Sequence, residues 1–235
     1  MAQISRKELK SDEFVSGMDA AFEFILQHRE RFITLAVVVA VVAAAGWGVF
    51  SWRSRRNQAA AALLAQGLTT LHAPLLTAAT PAGVASYAST EARAVAAGRQ
   101  FEAVIAQYGS TPSGQLARYY RGLAQVDAKN PEAEKSLQAA AASSDTTVST
   151  AAKHALANLD IQLNKPAEAH ALLLELTRQD SPTLPRAVAL MELADLDRDY
   201  NPKEAAQYYR QLQTDYPATA TAEQAQQQLA TLKQP

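Results

Sequence analysis

Two patterns of apolar residues divide this chain. In the first, residues 32–52 (FITLAVVVAVVAAAGWGVFSW), no side chain is charged. A helix of that length rises about 31 Å, enough to cross the hydrocarbon core of a bilayer. Arg29 and Arg31 flank it on one side, and Arg53, Arg55 and Arg56 on the other. Trp47 and Trp52 lie near its second edge, where indole rings favour the headgroup level. In the second pattern, which fills most of the remaining chain, apolar residues return at steps of three and four. That period marks helices with one buried face, and no alternating strand pattern competes with it.

The second pattern is itself periodic. Phe101, Leu137, Leu173 and Tyr209 follow one another at intervals of 36 residues. Four residues before each stand Ala97, Ala133, Ala169 and Ala205, and three residues after each stand Val104, Ala140, Leu176 and Leu212. These positions are the expected repeat core. The segments also begin alike: Asn130-Pro131-Glu132, Asn164-Lys165-Pro166 and Asn201-Pro202-Lys203-Glu204. Proline suits the first helical turn because its missing N–H would be unpaired there, and asparagine before it caps the helix. Asn201 and Glu204 have capping-box spacing. First helices are predicted over residues 57–71, 115–128, 149–163 and 185–198, with residues 73–89 joining the first to a partner over 90–108. The fold class is therefore all-α: one transmembrane helix, then an α-solenoid of about four helical hairpins. The chain divides into a tail (1–31), the span (32–52), a membrane-proximal helix and linker (53–89) and the repeat domain (90–235).

In the tail, Phe14, Met18, Phe22 and Ile25 share one helical face. Two readings stand for it, an interfacial helix that touches lipid or a membrane partner and a short helix that stiffens entry to the span. The long tail and the basic exit argue for an uncleaved signal anchor over a cleaved signal peptide. Arginines close to the span favour the C-terminal side inside, three against two. Counting Arg6, Lys7 and Lys10 reverses this, five against three, and places the N-terminus in the cytoplasm with the repeats outside.

Composition narrows the function classes. Hydrophobic residues make up 48% of the chain but aromatics only 7%, an alanine excess that suits closely packed helices. A net charge of -1 gives no nucleic-acid footprint. The absence of cysteine excludes disulfides and thiolate chemistry. No phosphate-binding loop or nucleophile elbow is present. Among the four histidines, His154 and His170 alone are placed to face each other across a hairpin, and two ligands do not make a metal site. Catalytic, cofactor and metal residues are all expected to be absent, and no small-molecule substrate is implied.

The repeat positions resemble the tetratricopeptide repeat. Ala157, Ala169 and Leu173 match its small–small–large spacing, and Ala205, Tyr209 and Pro217 match its second-helix alanine, aromatic and closing proline. Tyr216-Pro217-Ala218-Thr219, followed by Ala222 and Ala225, resembles the hinge of envelope-type repeats. The consensus tryptophan is missing throughout. As a layout, a short acidic tail, one span and alanine-rich divergent repeats resemble the ancillary subunit family of the Sec translocon, with residues 12–58 carrying most of the likeness. That resemblance implies a bacterial inner-membrane protein with periplasmic repeats, associated with the translocon and periplasmic chaperones.

Stacked hairpins curve, and their first helices line the concave side. Carrying repeat positions across places Arg118, Arg121, Gln125, His154, Asn158, Met191, Asp195 and Arg198 on that surface, as a groove whose arginines pair with a carboxylate of an extended segment. The functional expectation is a membrane-anchored protein–protein interaction module serving protein translocation or envelope protein folding and assembly. A structural envelope or division scaffold that oligomerises through its repeats, and a scaffold facing the cytoplasm, are the alternatives.

Overall fold

The structure is a computed structural model and describes residues 29–77 and 85–232. The tail helix expected around Phe14–Ile25 lies outside the described residues. Among the described residues there are nine helices: α1 (Arg29–Leu71), α2 (Thr90–Tyr108), α3 (Pro112–Asp127), α4 (Ala133–Ala141), α5 (Thr146–Gln162), α6 (Pro166–Leu176), α7 (Arg186–Tyr200), α8 (Pro202–Asp215) and α9 (Ala220–Thr231). The chain is all-helical; the one β-type contact among the described residues is an isolated bridge between Leu75 and Tyr87 in the α1–α2 connection.

The described residues fall into two units that divide between Arg55 and Arg56. In the first, α1 has apolar side chains around its whole circumference, and they are exposed: Val42 is 66% accessible and Trp47 72%. A helix apolar on every side has no solvated face to present to water, and α1 is long and apolar enough to cross a membrane.

The second unit is built by one rule repeated. Each second helix of a hairpin lies between its own first helix and the first helix of the next hairpin. The α2 core residues Ala97, Phe101 and Val104 meet Leu64 of α1 on one side and Ala117 and Ala124 of α3 on the other. Ala133 and Leu137 of α4 cluster with Leu156 and Leu159 of α5, backed by Tyr119 and Val126 of α3. Leu173 and Leu176 of α6 join Ala157 of α5 to Ala189 and Leu193 of α7. Ala205, Tyr209 and Leu212 of α8 close on Leu190, Met191 and Ala194 of α7 and Ala225 of α9. All twelve residues of the three apolar columns, Ala169 and Ala140 included, are buried. A single hairpin leaves half of such a face bare, so stacking is what buries it.

Local chemistry sets the helix ends. Ser89, Thr111, Asp145 and Thr219 have side-chain oxygens that accept N-terminal amides of α2, α3, α5 and α9. Pro166 and Pro202 open α6 and α8. Of the three asparagines expected to cap, only Asn130 does so in part, its Oδ1 accepting from Glu132 N–H at 2.9 Å. Asn164 takes φ 58°, ending the α5 helix in the left-handed region that asparagine tolerates. Asn201 forms no side-chain cap, so its spacing to Glu204 does not become a capping box.

Candidate functional site

The eight groove residues do not form one surface. Arg118 donates to Gln115 at 3.0 Å within α3. Arg121 reaches sideways instead, pairing with Glu102 of α2 at 2.6 Å and approaching Ser136 of α4 at 3.4 Å. Gln125 lies with it in a hollow of about 250 Å³ between α2 and α3. Met191 is buried in the α7–α8–α9 core. The expected arginine-lined recess is thus replaced by an inter-helix ion pair, because Glu102 stands on α2 within reach of the guanidinium.

Of the remaining four, Asn158 and Asp195 come together in one cleft, while His154 and Arg198 do not line it. His154 Nε2 lies 2.7 Å from Glu192 Oε2 and 3.2 Å from Asn158 Nδ2, which ties α5 to α7. Asp195 accepts from the buried Tyr209 hydroxyl at 2.6 Å. Burial, then this carboxylate, holds the phenol well above its usual range. Arg198 donates to Gln228 of α9 at 3.2 Å. Asn158 and Asp195 line a cleft of about 390 Å³ between α5 and α7, together with Ile161, Pro166, Glu192, Leu196, Asp199 and Tyr200. Ile161 and Tyr200 are exposed apolar side chains beside three carboxylates. The cleft is acidic and apolar, the reverse of the charge the sequence led us to expect.

His154 and His170 do not face each other across the hairpin. His170 Nδ1 lies 2.9 Å from Asp197 Oδ1, on α7. Asp197 belongs to a buried polar column at the ends of the first helices, formed by Gln125, Asp160 and Asp197. Each has a buried side-chain oxygen without a hydrogen-bond partner. The signal for this column is in the sequence, since Asp160 and Asp197 are 37 residues apart, but it lies outside the apolar columns that define the repeat.

Asp160 shows what the column costs. Burial raises its carboxyl above the ordinary range, Glu134 and Glu168 add to this, and Lys165 opposes it. The folded state therefore holds this proton more tightly than the unfolded state. The ionised group destabilises the fold, and stability falls as pH rises from about 3.9 through the raised value. Asp160→Asn is expected to stabilise the protein by about 1 kcal/mol at neutral pH, measured by urea unfolding, and to give no gain below roughly pH 4.

A family model for the tetratricopeptide repeat-like domain matches residues 26–183, and the chain belongs to that family. Two crystal structures of nearly identical TPR-like repeats from Podosopora anserina are similar to it, each at 21% identity over 60% of this chain and 77% of that chain, with a TM-score of 0.49. No curated protein sequence matches.

Proposed function

We propose that this protein is a membrane-anchored interaction module, with residues 32–52 crossing the bilayer and the repeats held at its surface to bind other proteins. The observation that carries the reading is the contrast within the chain. Every apolar column of the repeats is buried, whereas the apolar side chains described between Ile33 and Phe50 stand exposed. Water would not tolerate such a surface, and lipid supplies the missing partner.

In this reading the N-terminus is cytoplasmic and the repeats lie on the far side of a bacterial inner membrane, where they assist translocation or envelope protein assembly. Tethering raises the local concentration of the repeat surface near a membrane partner. The α5–α7 cleft receives an extended segment with apolar and basic side chains, the partner chemistry that Ile161, Leu196, Tyr200, Glu192, Asp195 and Asp199 complement. No catalysis is required.

The test is crosslinking with mass spectrometry from native membranes, comparing the natural chain with Asp199→Lys plus Tyr200→Ala. Both side chains are exposed, so the fold is expected to survive, as helical circular dichroism will report. Crosslinks to translocon or client proteins that fall at least about tenfold in the double variant support the reading. Contacts confined to other copies of the chain move it to the scaffold class. A variant lacking residues 32–52 is expected to leave the membrane fraction on alkaline extraction; retention there sinks the anchor.

A further inference from the structure

The junctions between hairpins offer an internal comparison. At the junction around Asp160, the buried carboxylate is surrounded by Glu134 from the preceding second helix, Glu168 from the following one, and Lys165 just before the proline that opens α6. Lys165 Nζ binds Glu134 Oε2 at 2.7 Å and so brings a positive charge to the acidic group. One repeat further on, the same places are held by Asp197, His170 and Glu204, at intervals of 37, 36 and 36 residues. The place of Lys165, before the opening proline, is taken by Asn201. Two of the three carboxylates are kept, the third is replaced by an imidazole, and the ammonium is lost.

The geometry of this junction differs from a simple ion pair in two ways. One donor atom each from His170, Asp197 and Glu204 lie within 4.8 Å of one another, contributed by three different helices, α6, α7 and α8. In addition, the Asp197 side chain is only 4% exposed, and its Oδ2 has no hydrogen-bond partner while Oδ1 meets His170. An orphaned carboxylate oxygen at that depth is costly unless a cation meets it. Burial raises the Asp197 carboxyl above its ordinary range, with His170 opposing the shift.

We infer that His170, Asp197 and Glu204 form a binding site for a first-row divalent metal ion of the Zn2+ class, at the junction of the third and fourth hairpins. One imidazole nitrogen and two carboxylate oxygens are a donor set that such ions accept, with water completing the coordination. Ca2+ and Mg2+ favour all-oxygen sites and do not take an imidazole readily. His170 and Glu204 are both half-buried, flanking the buried Asp197. A metal bound through Nδ1 uses that nitrogen's lone pair, so the ring proton then sits on Nε2, where it can donate to water or a neighbour. The ion then does for this junction what Lys165 does for the one before it, pinning three helices through their acidic groups. The inference is independent of the membrane reading and of the α5–α7 cleft.

The test uses the full chain in detergent micelles, stripped with chelator and titrated calorimetrically with ZnCl2. One saturable equivalent is expected, together with a rise in melting temperature on zinc addition. His170→Ala and Glu204→Gln are each expected to weaken binding by about 30-fold or more, whereas His154→Ala leaves it unchanged. The decisive variant is Asn201→Lys, which touches none of the three ligands. It restores the ammonium of the neighbouring junction and is expected to abolish zinc binding while the helical melt is kept or raised. Absence of saturable binding in the natural chain overturns the assignment. So does binding that persists in both His170→Ala and Asn201→Lys, or binding lost in His154→Ala, which places the ion elsewhere.

Discussion

Phe101→Ala is expected to remove about 3–5 kcal/mol of stability from the repeat unit. The ring is fully buried and belongs to a cluster drawn from α1, α2 and α3. One face stacks on Tyr120 with centroids 5.7 Å apart. Gly67 also lies against the ring, where a Cβ would stand 2.5 Å from Phe101 Cε1. Glycine at that place is what lets α1 approach the ring. Alanine at 101 opens a cavity bounded by three helices, and the stiff Tyr120 and Gly67 walls limit collapse into it. Urea unfolding of the full chain in detergent, followed by circular dichroism, measures the loss. Val95→Ala, an exposed position on the same helix, is expected to change stability by less than about 0.5 kcal/mol. A Phe101→Ala cost as small as that of Val95→Ala removes the account in which each second helix packs between two first helices.

The second large effect belongs to Gly114→Ala. In the first turn of α3, the Gly114 amide donates to Thr111 Oγ1 at 3.1 Å while the Thr111 hydroxyl donates to Tyr108 O at 2.7 Å. A Cβ on residue 114 would lie 2.0 Å from Tyr108 O and 2.8 Å from Gly109 Cα. Both are backbone atoms, so no side-chain rotation relieves the clash. The α2–α3 turn must move and the Thr111 cap breaks, for a combined cost of about 3 kcal/mol. Gly98→Ala provides the contrast. Its Cβ would meet Ala124 Cβ at an ordinary 3.9 Å, and alanine favours a helix interior, so stability is expected to hold or rise by about 0.5 kcal/mol. Equal effects from the two substitutions exclude close backbone approach as the reason for Gly114.

The apolar columns were legible in the sequence because burial by stacking imposes a fixed period, and residues such as Leu137 and Tyr209 have no other way out of water. The later first helices were legible for the same reason, with α3, α5 and α7 beginning within three residues of their expected starts, whereas the helix expected over 57–71 is the end of the continuous α1. Polar geometry was not legible. Whether Arg121 faces a groove or Glu102 depends on a side chain 19 residues away on another helix, which periodicity on either helix does not specify. The same limit hid the cleft: Asn158 and Asp195 were expected together, but the acidic Glu192 and Asp199 and the apolar Ile161 and Tyr200 join them only through the α5–α7 packing. His170, Asp197 and Glu204 come from three helices, so no local motif announces them.

The sandwiching of each second helix between neighbouring first helices also bears on how the chain reaches its folded state. Every core cluster in the repeats draws on helices adjacent or nearly adjacent in the chain. No distant segment must be awaited before a hairpin closes, so loop-closure entropy stays small and formation is fast. During synthesis the earliest hairpins can settle while later ones are still being delivered. Each completed pair then offers a half-finished apolar face on which the next helix docks.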